Sequence, residues 1–215
     1  DEHNGEEIYS TAYTYDYLGD LTKITDALGN VRNFTYNGLG RRLAAEDLHA
    51  AADAYFGSYS YTYDDAGNLT EVADPNANTI DYTYDDLNRK LTEDHIGQAG
   101  TEVTNTYDQG SDGIGHLTSI VTPDLSQTDT YDANGNLASE TKTINAGNYE
   151  TDYAYDRQGN QILITNPDGS AIQYLYNSAG LVEKVQQEED GGSFADVVSN
   201  FDYSPTEKET TIAYA

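Results

Sequence analysis

Carboxylate side chains are the groups in this sequence best suited to chemistry. Adjacent pairs recur along the chain, among them Asp64 with Asp65, Asp85 with Asp86, and Glu188 with Glu189. Two carboxylates brought together from different strands could act as the acid and base of glycoside hydrolysis. In a chain with 38 acidic residues, however, such pairs arise by chance, and no unique cluster interrupts the repeated pattern described below. We therefore predict that the chain is not an enzyme and has no catalytic residues.

Oxygen ligands at alternate positions indicate a second kind of chemistry, the binding of calcium. Asp74, Asn76 and Asn78 resemble the opening of an EF-hand loop. Thr79 and Asp85, however, stand where that loop needs a glycine and a bidentate glutamate. We keep Asp74, Asn76 and Asn78 as calcium candidates and expect no other cofactor.

The other residue types that bind metals or act as nucleophiles show no recognised arrangement. His3, His49, His95 and His116 lie far apart in the sequence, and the chain has no cysteine. This composition excludes disulfides and cysteine-bound zinc, and no histidine pair has the i, i+4 spacing of a zinc protease. The fingerprints of serine hydrolases, P-loops and dinucleotide-binding folds are absent as well.

A unit that recurs along nearly the whole chain predicts the elements that position these residues. It consists of an aromatic residue, any residue, Tyr, Asp or Asn, two variable residues, Gly, one further residue and an aliphatic residue. The clearest copy contains Tyr61, Tyr63, Asp64, Gly67 and Leu69. The central tyrosines are spaced by roughly two dozen residues, as in repeat architectures. They are Tyr15, Tyr36, Tyr63, Tyr84, Tyr107, Tyr131, Tyr155, Tyr176 and Tyr203.

Each position of the unit has a physical role in a β-hairpin. In Tyr61-Thr62-Tyr63 both rings point to one face of a strand, and the threonine points to the other. Asp64 begins a tight turn, where its carboxylate can accept backbone N–H groups. Gly67 supplies the positive φ that such a turn requires.

A second set of turn signals lies about midway between the tyrosine units. It occurs at residues 26–30, 74–78, 145–148 and 166–169. Each repeat therefore contains two short strands and two turns. In the copy at Tyr84, Asn88 takes the glycine position, and Asn tolerates positive φ better than most residues. The sequence predicts an all-β fold, a repetitive antiparallel β-hairpin meander forming a spiral or solenoid-like sheet with a tyrosine ladder.

The repeated unit resembles that of the RHS/YD-repeat proteins, whose name refers to the Tyr-Asp pair. The resemblance spans about residues 13 to 182, although Asn37 and Asn177 replace the aspartate and an insertion precedes Gly115. It implies a long spiralling β-sheet, which in secreted toxins and large cell-surface proteins can close into a hollow shell around a cargo domain. It implies no catalysis by the repeats.

The residues expected to fix this fold are the tyrosine, aspartate and glycine of the better copies. They are Tyr15, Asp16, Gly19, Tyr63, Asp64, Gly67, Tyr84, Asp85, Tyr131, Asp132, Gly135, Tyr155, Asp156, Gly159, Tyr176 and Gly180. The tyrosine rings could instead form a stacking surface for sugars. Their regular placement favours a structural role in the sheet.

The repeats divide the chain into four predicted segments. These are a strand-like lead-in over residues 1–12, the repeats over 13–186, an acidic glycine-containing loop over 187–199, and a degenerate repeat with a C-terminal strand over 200–215. The alanine-rich stretch 44–58 could form a helical turn, and 93–101 is expected to be a longer loop. The sequence contains neither a signal peptide nor an apolar run of membrane-spanning length, which favours a mature or excised segment without membrane insertion.

Net charge narrows the range of partners. The formal charge of −28 arises from 38 acidic and 10 basic residues spread along the chain. Nucleic acid is excluded as a partner, because neutralising phosphates requires clustered Lys and Arg. An acidic surface with aspartate-rich turns also favours solubility.

The pattern as a whole indicates an architectural role. We predict a non-catalytic scaffold, a repeat segment of an extracellular, secreted or cell-surface RHS/YD shell. Its expected partners are flanking repeats or other copies joined through sheet edges, and an encapsulated cargo domain. Two alternatives stay open: an adhesin or glycan-binding module that uses its loops, and a self-assembling fibre subunit joined through edge strands.

Overall fold

The computed structural model describes residues 10–189, 191–204 and 208–215 of the chain. These residues form β-strands joined by turns, and none of them lies in a helix. The chain divides into two compact units, with the boundary between Glu102 and Val103. Among the described residues there is consequently no helix long and apolar enough to cross a membrane.

The first unit is an antiparallel meander in which successive strands pair. Its strands are β1 (Ala12–Tyr15), β2 (Leu21–Thr25), β3 (Asn30–Tyr36), β4 (Arg42–Glu46), β5 (His49–Ala50), β6 (Ser58–Tyr63), β7 (Leu69–Ala73), β8 (Thr79–Tyr84) and β9 (Lys90–His95). The order is interrupted once, because β3 pairs with two strands. Phe34 lies opposite Ala45 of β4, and Val31 lies opposite His49 of β5. The meander then continues from β4 to β6.

The second unit repeats this arrangement without the interruption. Its strands are β10 (Val103–Tyr107), β11 (Leu117–Val121), β12 (Leu125–Tyr131), β13 (Leu137–Ile144), β14 (Gly147–Tyr155), β15 (Gln161–Thr165), β16 (Ala171–Tyr176), β17 (Val182–Glu188), β18 (Ala195–Tyr203) and β19 (Glu209–Tyr214). Each strand pairs antiparallel with the next one in sequence. The predicted all-β antiparallel hairpin meander is therefore confirmed.

A β-bulge marks the end of every tyrosine strand. At Tyr63, for example, the partner is Leu69, although the regular register from Thr62 and Glu71 would pair Tyr63 with Thr70. The same shift occurs at all nine central tyrosines. Because a bulge leaves one residue outside the regular ladder and bends the strand, it changes the local direction of the side chain and of the backbone carbonyl.

Each sheet is a single layer, and its two faces differ in composition. In β6 the tyrosines are half-buried, whereas the intervening Ser and Thr residues are exposed. Strands of the described residues contact their hydrogen-bonded neighbours, so burial comes from adjacent side chains within one sheet. The buried hydrophobic residues are accordingly few and mostly small: Val31, Phe34, Ala45, Ala171 and Val198.

Two sequence predictions are corrected by the strand boundaries. The helical turn expected within 44–58 is wrong, because Ala45 pairs with Phe34 on one side and Tyr59 on the other. Ala45 is only 1% exposed, so its small side chain fits beneath larger neighbours in the sheet. The loop expected over 187–199 is shorter, since β17 extends to Glu188 and β18 begins at Ala195.

The remaining segment boundaries stay predictions. Residues 1–9 of the expected lead-in lie outside the described residues. The expected loop at 93–101 begins later than predicted, because Glu93, Asp94 and His95 complete β9.

Candidate functional site: the tyrosine–aspartate turns

Tyrosine hydroxyls connect one repeat to the preceding one. The Tyr84 hydroxyl donates a hydrogen bond to the carbonyl oxygen of Leu69 at 2.8 Å. Leu69 is itself the bulge partner of Tyr63, so the bond joins two consecutive tyrosine units. Four more bonds have this geometry: Tyr36 to Leu21 at 3.0 Å, Tyr131 to Leu117 at 2.8 Å, Tyr176 to Gln161 at 2.8 Å and Tyr203 to Val182 at 2.7 Å.

Partial burial keeps these hydroxyls in the form that can donate. It raises the pKa of Tyr84, Tyr131, Tyr176 and Tyr203 above the ordinary tyrosine value. The neutral phenol therefore persists at every physiological pH. The structural role expected for these rings thus has a specific polar component in addition to ring packing.

Aspartate organises the turn that follows each tyrosine, and Asp132 shows the arrangement. Its Oδ1 accepts hydrogen bonds from the backbone N–H groups of Asn134 at 2.8 Å and Asn136 at 2.9 Å. Its own backbone N–H donates to the carbonyl of Asn136, and Gly135 N–H donates to the Asp132 carbonyl. The side chain thus satisfies two N–H groups that the turn would otherwise leave to water.

An asparagine four residues after the aspartate completes the turn. Asn136 Nδ2 donates to Asp132 Oδ2 at 3.0 Å. The same pair forms in Asp26–Asn30, Asp64–Asn68, Asp74–Asn78 and Asp156–Asn160. Sequence reasoning missed this residue, because the unit treated it as variable. Its signal was the recurrence of Asn directly after the turn glycine at positions 30, 68, 136 and 160.

In other repeats, residues at the position equivalent to Asn136 also connect consecutive turns. All turns after tyrosine strands lie at the same edge of their meander, so neighbouring turns come close. Three contacts of this kind are Arg41 Nη1 to Asp64 O at 3.1 Å, Asn68 Nδ2 to Asn88 Oδ1 at 2.7 Å, and the stacked rings of His116 and Tyr131 at 4.1 Å. The turns therefore form a row of interacting groups at that edge of each unit.

Backbone geometry at the turns agrees with the sequence prediction. Gly67 has a φ of 96° and Gly135 a φ of 85°, in the left-handed region that glycine tolerates best. Asn88 replaces glycine at this position and has a φ of 62°. The turn interpretation of Asn88 is confirmed.

The copy at Tyr107 differs from the others because of its inserted loop. Asp108 Oδ1 accepts a hydrogen bond from Gly115 N–H at 2.7 Å, seven residues away. Residues 109–113 fold against β12 and enclose with it a cavity of about 130 Å³. Asp129 lies in the cavity wall, and its burial raises the pKa of its carboxyl group. Gln127 Nε2 donates to both carboxyl oxygens of Asp129 at 3.0 Å.

The calcium candidates form a turn of the same kind as the others. Asp74 Oδ1 accepts from Asn76 N–H at 2.8 Å and Asn78 N–H at 2.9 Å, and Asp74 Oδ2 accepts from Asn78 Nδ2 at 2.7 Å. Both carboxylate oxygens thus have partners within the turn. No group of three or more acidic, histidine or cysteine side chains among the described residues is arranged to hold a metal ion. Calcium binding at this turn stays a prediction.

The three histidines that the structure describes are not brought together. His49 stacks on Phe56 at 4.0 Å and lies 3.1 Å from a carboxylate oxygen of Glu46, which raises the pKa of His49. His95 lies 3.4 Å from Glu93, and His116 belongs to the row of turns. His3 lies outside the described residues. Each described histidine therefore has a different local environment.

Removing one tyrosine hydroxyl should weaken the connection between repeats. Tyr84→Phe is expected to lower the free energy of unfolding by about 1 kcal/mol, because the Leu69 carbonyl loses its donor at the bulge. Urea denaturation followed by circular dichroism measures the effect. The control is Tyr17→Phe, since Tyr17 is 94% exposed. Equal effects of the two substitutions would show that the hydroxyl of Tyr84 contributes nothing specific.

The lowered pKa values of the turn aspartates predict that the fold loses stability in acid. Hydrogen bonds from the following asparagine lower the pKa of Asp26, Asp64, Asp74, Asp132 and Asp156. A carboxyl group with a lowered folded-state pKa stabilises the fold fully when the pH is above its unfolded-state pKa. That stabilisation is lost as the pH falls through the folded-state pKa. The melting temperature should therefore change little between about pH 7 and 5 and fall below about pH 4.

An adjacent pair of aspartates provides a matched test of this acid sensitivity. Asp64→Asn should lower the melting temperature at neutral pH and reduce its further decrease in acid. Asp65→Asn removes the same charge from an exposed side chain at the next position and should change neither quantity. The turn argument fails if both variants show the same pH profile.

The sequence model of the family described as RHS Repeat matches residues 15–48, 45–79, 63–101 and 131–171, which together make up more than half of the chain. No curated protein sequence matches the chain.

Several solved structures share the fold. The crystal structure of TcdB2-TccC3-Cdc42 matches 98% of this chain with a TM-score of 0.79 at 14% identity, and the match covers 12% of that chain. The crystal structure of TcdB2-TccC3 without the hypervariable C-terminal region gives 95% coverage, a TM-score of 0.78 and 14% identity, over 11% of that chain. The Photorhabdus luminescens Tc holotoxin pore gives 96% coverage with a TM-score of 0.51 at 12% identity, over 15% of that chain. The present chain thus spans a small part of the length of each protein.

Proposed function

Because this chain belongs to the RHS repeat family, we propose that it is a non-catalytic wall segment of a larger shell that encloses another polypeptide. The fold shared with the TcdB2-TccC3 structures supports an architectural role. We place the shell outside the cell, either secreted or on the cell surface. Flanking repeats and the enclosed polypeptide are its proposed partners.

The single-layer sheet is the observation that carries this proposal. Its tyrosine side chains are half-buried within each unit, and its opposite face carries exposed Ser and Thr side chains, as in β6. A sheet with one aromatic face and one polar face is suited to separating two environments. The polar groups of the repeated unit support the same role, since hydrogen bonds within and between turns occupy the carboxylates and several tyrosine hydroxyls.

Strand β1 supports continuation into a larger sheet. Among the described residues it pairs with β2 alone, and its four residues are all exposed. Tyr13 and Tyr15 are each 57% exposed, whereas Tyr61 and Tyr63, at the same positions of a later copy, are half-buried. A preceding strand would pair with the outer edge of β1, which has no partner among the described residues, and would cover these two rings.

The test is to identify the native polypeptide and its assembly. Antibodies raised against this chain should detect a native protein far larger than 23.5 kDa, and electron microscopy of that protein should show hollow particles. Limited proteolysis should leave the enclosed polypeptide intact until the particles are opened. A native protein of 23.5 kDa, or particles without an interior, would contradict the shell.

The exposed edge of β1 also supports a second candidate, a self-assembling fibre. In that case the purified chain alone should form filaments, and a proline at Thr14, which lies within β1, should abolish them. Specific binding to a glycan array would instead favour an adhesin.

A further inference from the structure

Three arginine side chains in the first unit have no carboxylate partner among the residues that the structure describes. The first unit contains six of the ten basic residues of the chain, and Arg89 is paired with Asp85 at 2.7 Å. Among the described residues, by contrast, Arg32, Arg41 and Arg42 form no salt bridge. Unpaired guanidinium groups are unexpected in a chain whose acidic residues outnumber its basic residues by almost four to one.

Each of these guanidinium groups lies over an aromatic ring of its own strand or of a neighbouring one. The guanidinium carbons of Arg32 and Arg42 are 5.3 Å and 5.0 Å from the centre of the Phe34 ring. The two carbons are therefore at most 10.3 Å apart, which is the sum of the two distances. Arg41 lies 5.1 Å from the centre of the Tyr63 ring. Cation–π contacts hold all three groups against the tyrosine face of the sheet.

Hydrogen bonds fix two of the three side chains and leave donors free for a partner. Arg32 Nε donates to the carbonyl oxygen of Glu46 at 2.7 Å, and Arg41 Nη1 donates to the carbonyl oxygen of Asp64 at 3.1 Å. A guanidinium group has five N–H donors, so each of these bonds uses one of five, and the Nε–H of Arg41 is in addition buried without a partner among the described residues. Arg42 is exposed, and only its ring contacts are seen among the described residues.

The carboxylates of the surrounding strands lie on the opposite face. Phe34 pairs with Ala45, which puts the next residue, Glu46, on the other side of the sheet. Glu46 there accepts hydrogen bonds from Asn33. On β7, Val72 pairs with Tyr61 and so shares the tyrosine face, whereas Glu71 points the other way. The arginines are therefore not neutralised by the strands that carry or flank them.

We propose that Arg32, Arg41 and Arg42, called here the guanidinium patch, form a docking surface for an acidic polypeptide segment. In an extended segment, side chains two residues apart point to one face at a separation of about 6.6 Å. Two such carboxylates can therefore reach Arg32 and Arg42 together. Arginine binds carboxylates through two parallel hydrogen bonds, which favours a carboxylate partner over a neutral one.

Local charge governs this interaction more than the net charge of the protein. At physiological ionic strength, exposed charges more than about 8 Å apart are largely screened from each other. Asp20, next to Gly40, and Asp64, whose carbonyl oxygen binds Arg41, lie in the turns beside Arg41, so an acidic segment at the patch interacts first with Arg32 and Arg42. A sugar is a poorer fit, because Phe34 is 8% exposed and lies between Arg32 and Arg42, which leaves little ring surface for stacking.

This proposal goes beyond the scaffold role and requires only the folded chain. The probe is poly-L-glutamate of about 20 residues. Fluorescence anisotropy of the labelled peptide should show binding that weakens as salt is added. Replacing both Arg32 and Arg42 by Gln should weaken binding by about tenfold, since two charge-assisted contacts are lost. The control replaces Lys23 and Arg157 by Gln, which changes the net charge equally but leaves the patch intact.

Three results would overturn the proposal. They are the absence of binding to the unaltered chain, an equal loss of binding in the two double variants, and binding of heparin as tight as that of poly-L-glutamate. Hydrogen exchange on the unaltered chain provides a readout that does not depend on how well the variants fold. Poly-L-glutamate should protect amides of β3 and β4, and protection confined to other strands would also exclude the patch. None of these measurements requires hollow particles, so a negative result would exclude the guanidinium patch and leave the proposed shell untested.

Discussion

Phe34→Ala is expected to lower the free energy of unfolding by about 3 kcal/mol, the largest effect of any single aromatic ring in the described structure. Phe34 is 8% exposed, whereas the other phenylalanine and tyrosine residues that the structure describes are half-buried or exposed. The substitution removes the buried ring and, with it, the cation–π contacts of Arg32 and Arg42. Truncating a buried phenylalanine costs about 3 to 5 kcal/mol, and the lower end applies to a sheet that is open on one side.

The matched control for Phe34→Ala is Tyr55→Ala, because Tyr55 is 96% exposed. Urea denaturation followed by circular dichroism should show a change within about 0.5 kcal/mol for this control. A small effect of Phe34→Ala, comparable with that of the control, would mean that the sheet is stabilised without a local core around Phe34.

Gly113→Ala should have the second-largest effect, a destabilisation of about 2 to 3 kcal/mol. A Cβ atom at this position would lie 1.8 Å from the carbonyl oxygen of Gln109 and 2.9 Å from Cγ2 of Thr118. The first contact is with the backbone of the same inserted loop and the second is with β11, so the loop has to change its conformation and move away from β11. That movement would expose Thr118, which is 2% exposed in the intact protein.

Gly38→Ala distinguishes this clash from the general effect of replacing a turn glycine. A Cβ atom at Gly38 would have no neighbour within 4 Å, and its φ lies outside the left-handed region. We expect no loss of stability from Gly38→Ala, measured as the melting temperature by calorimetry. If Gly113→Ala is equally harmless, the inserted loop does not pack as described.

The repeated unit made the meander and its turns predictable. Alternation of tyrosine and threonine determined which side chains share a face, and the period of the unit gave the order of strands. Turn chemistry is local as well, so the positive φ at Gly67 and Asn88 followed from residue type alone. These features depend on residues close in sequence.

Features that depend on neighbouring strands were harder to predict. The bulge at each tyrosine and the bond from Tyr84 to the Leu69 carbonyl require the register between strands, which no single copy of the unit contains. The stretch 44–58 illustrates the same limit. Its alanines favour a helix locally, but Ala45 pairs with strands on both sides, and pairing outweighs a weak local propensity. The guanidinium patch likewise depends on which strands become neighbours.

The number of two-strand repeats also determines the size of the proposed wall. Paired strands lie about 4.8 Å apart, so each repeat extends the sheet by about 9.6 Å across the strands. Contacts are made with the adjoining strands alone in the described residues, and the aspartate turn is completed largely by its own residues. Duplication or deletion of one whole repeat in the gene would therefore lengthen or shorten the wall by a fixed step and leave the chemistry of the other repeats unchanged.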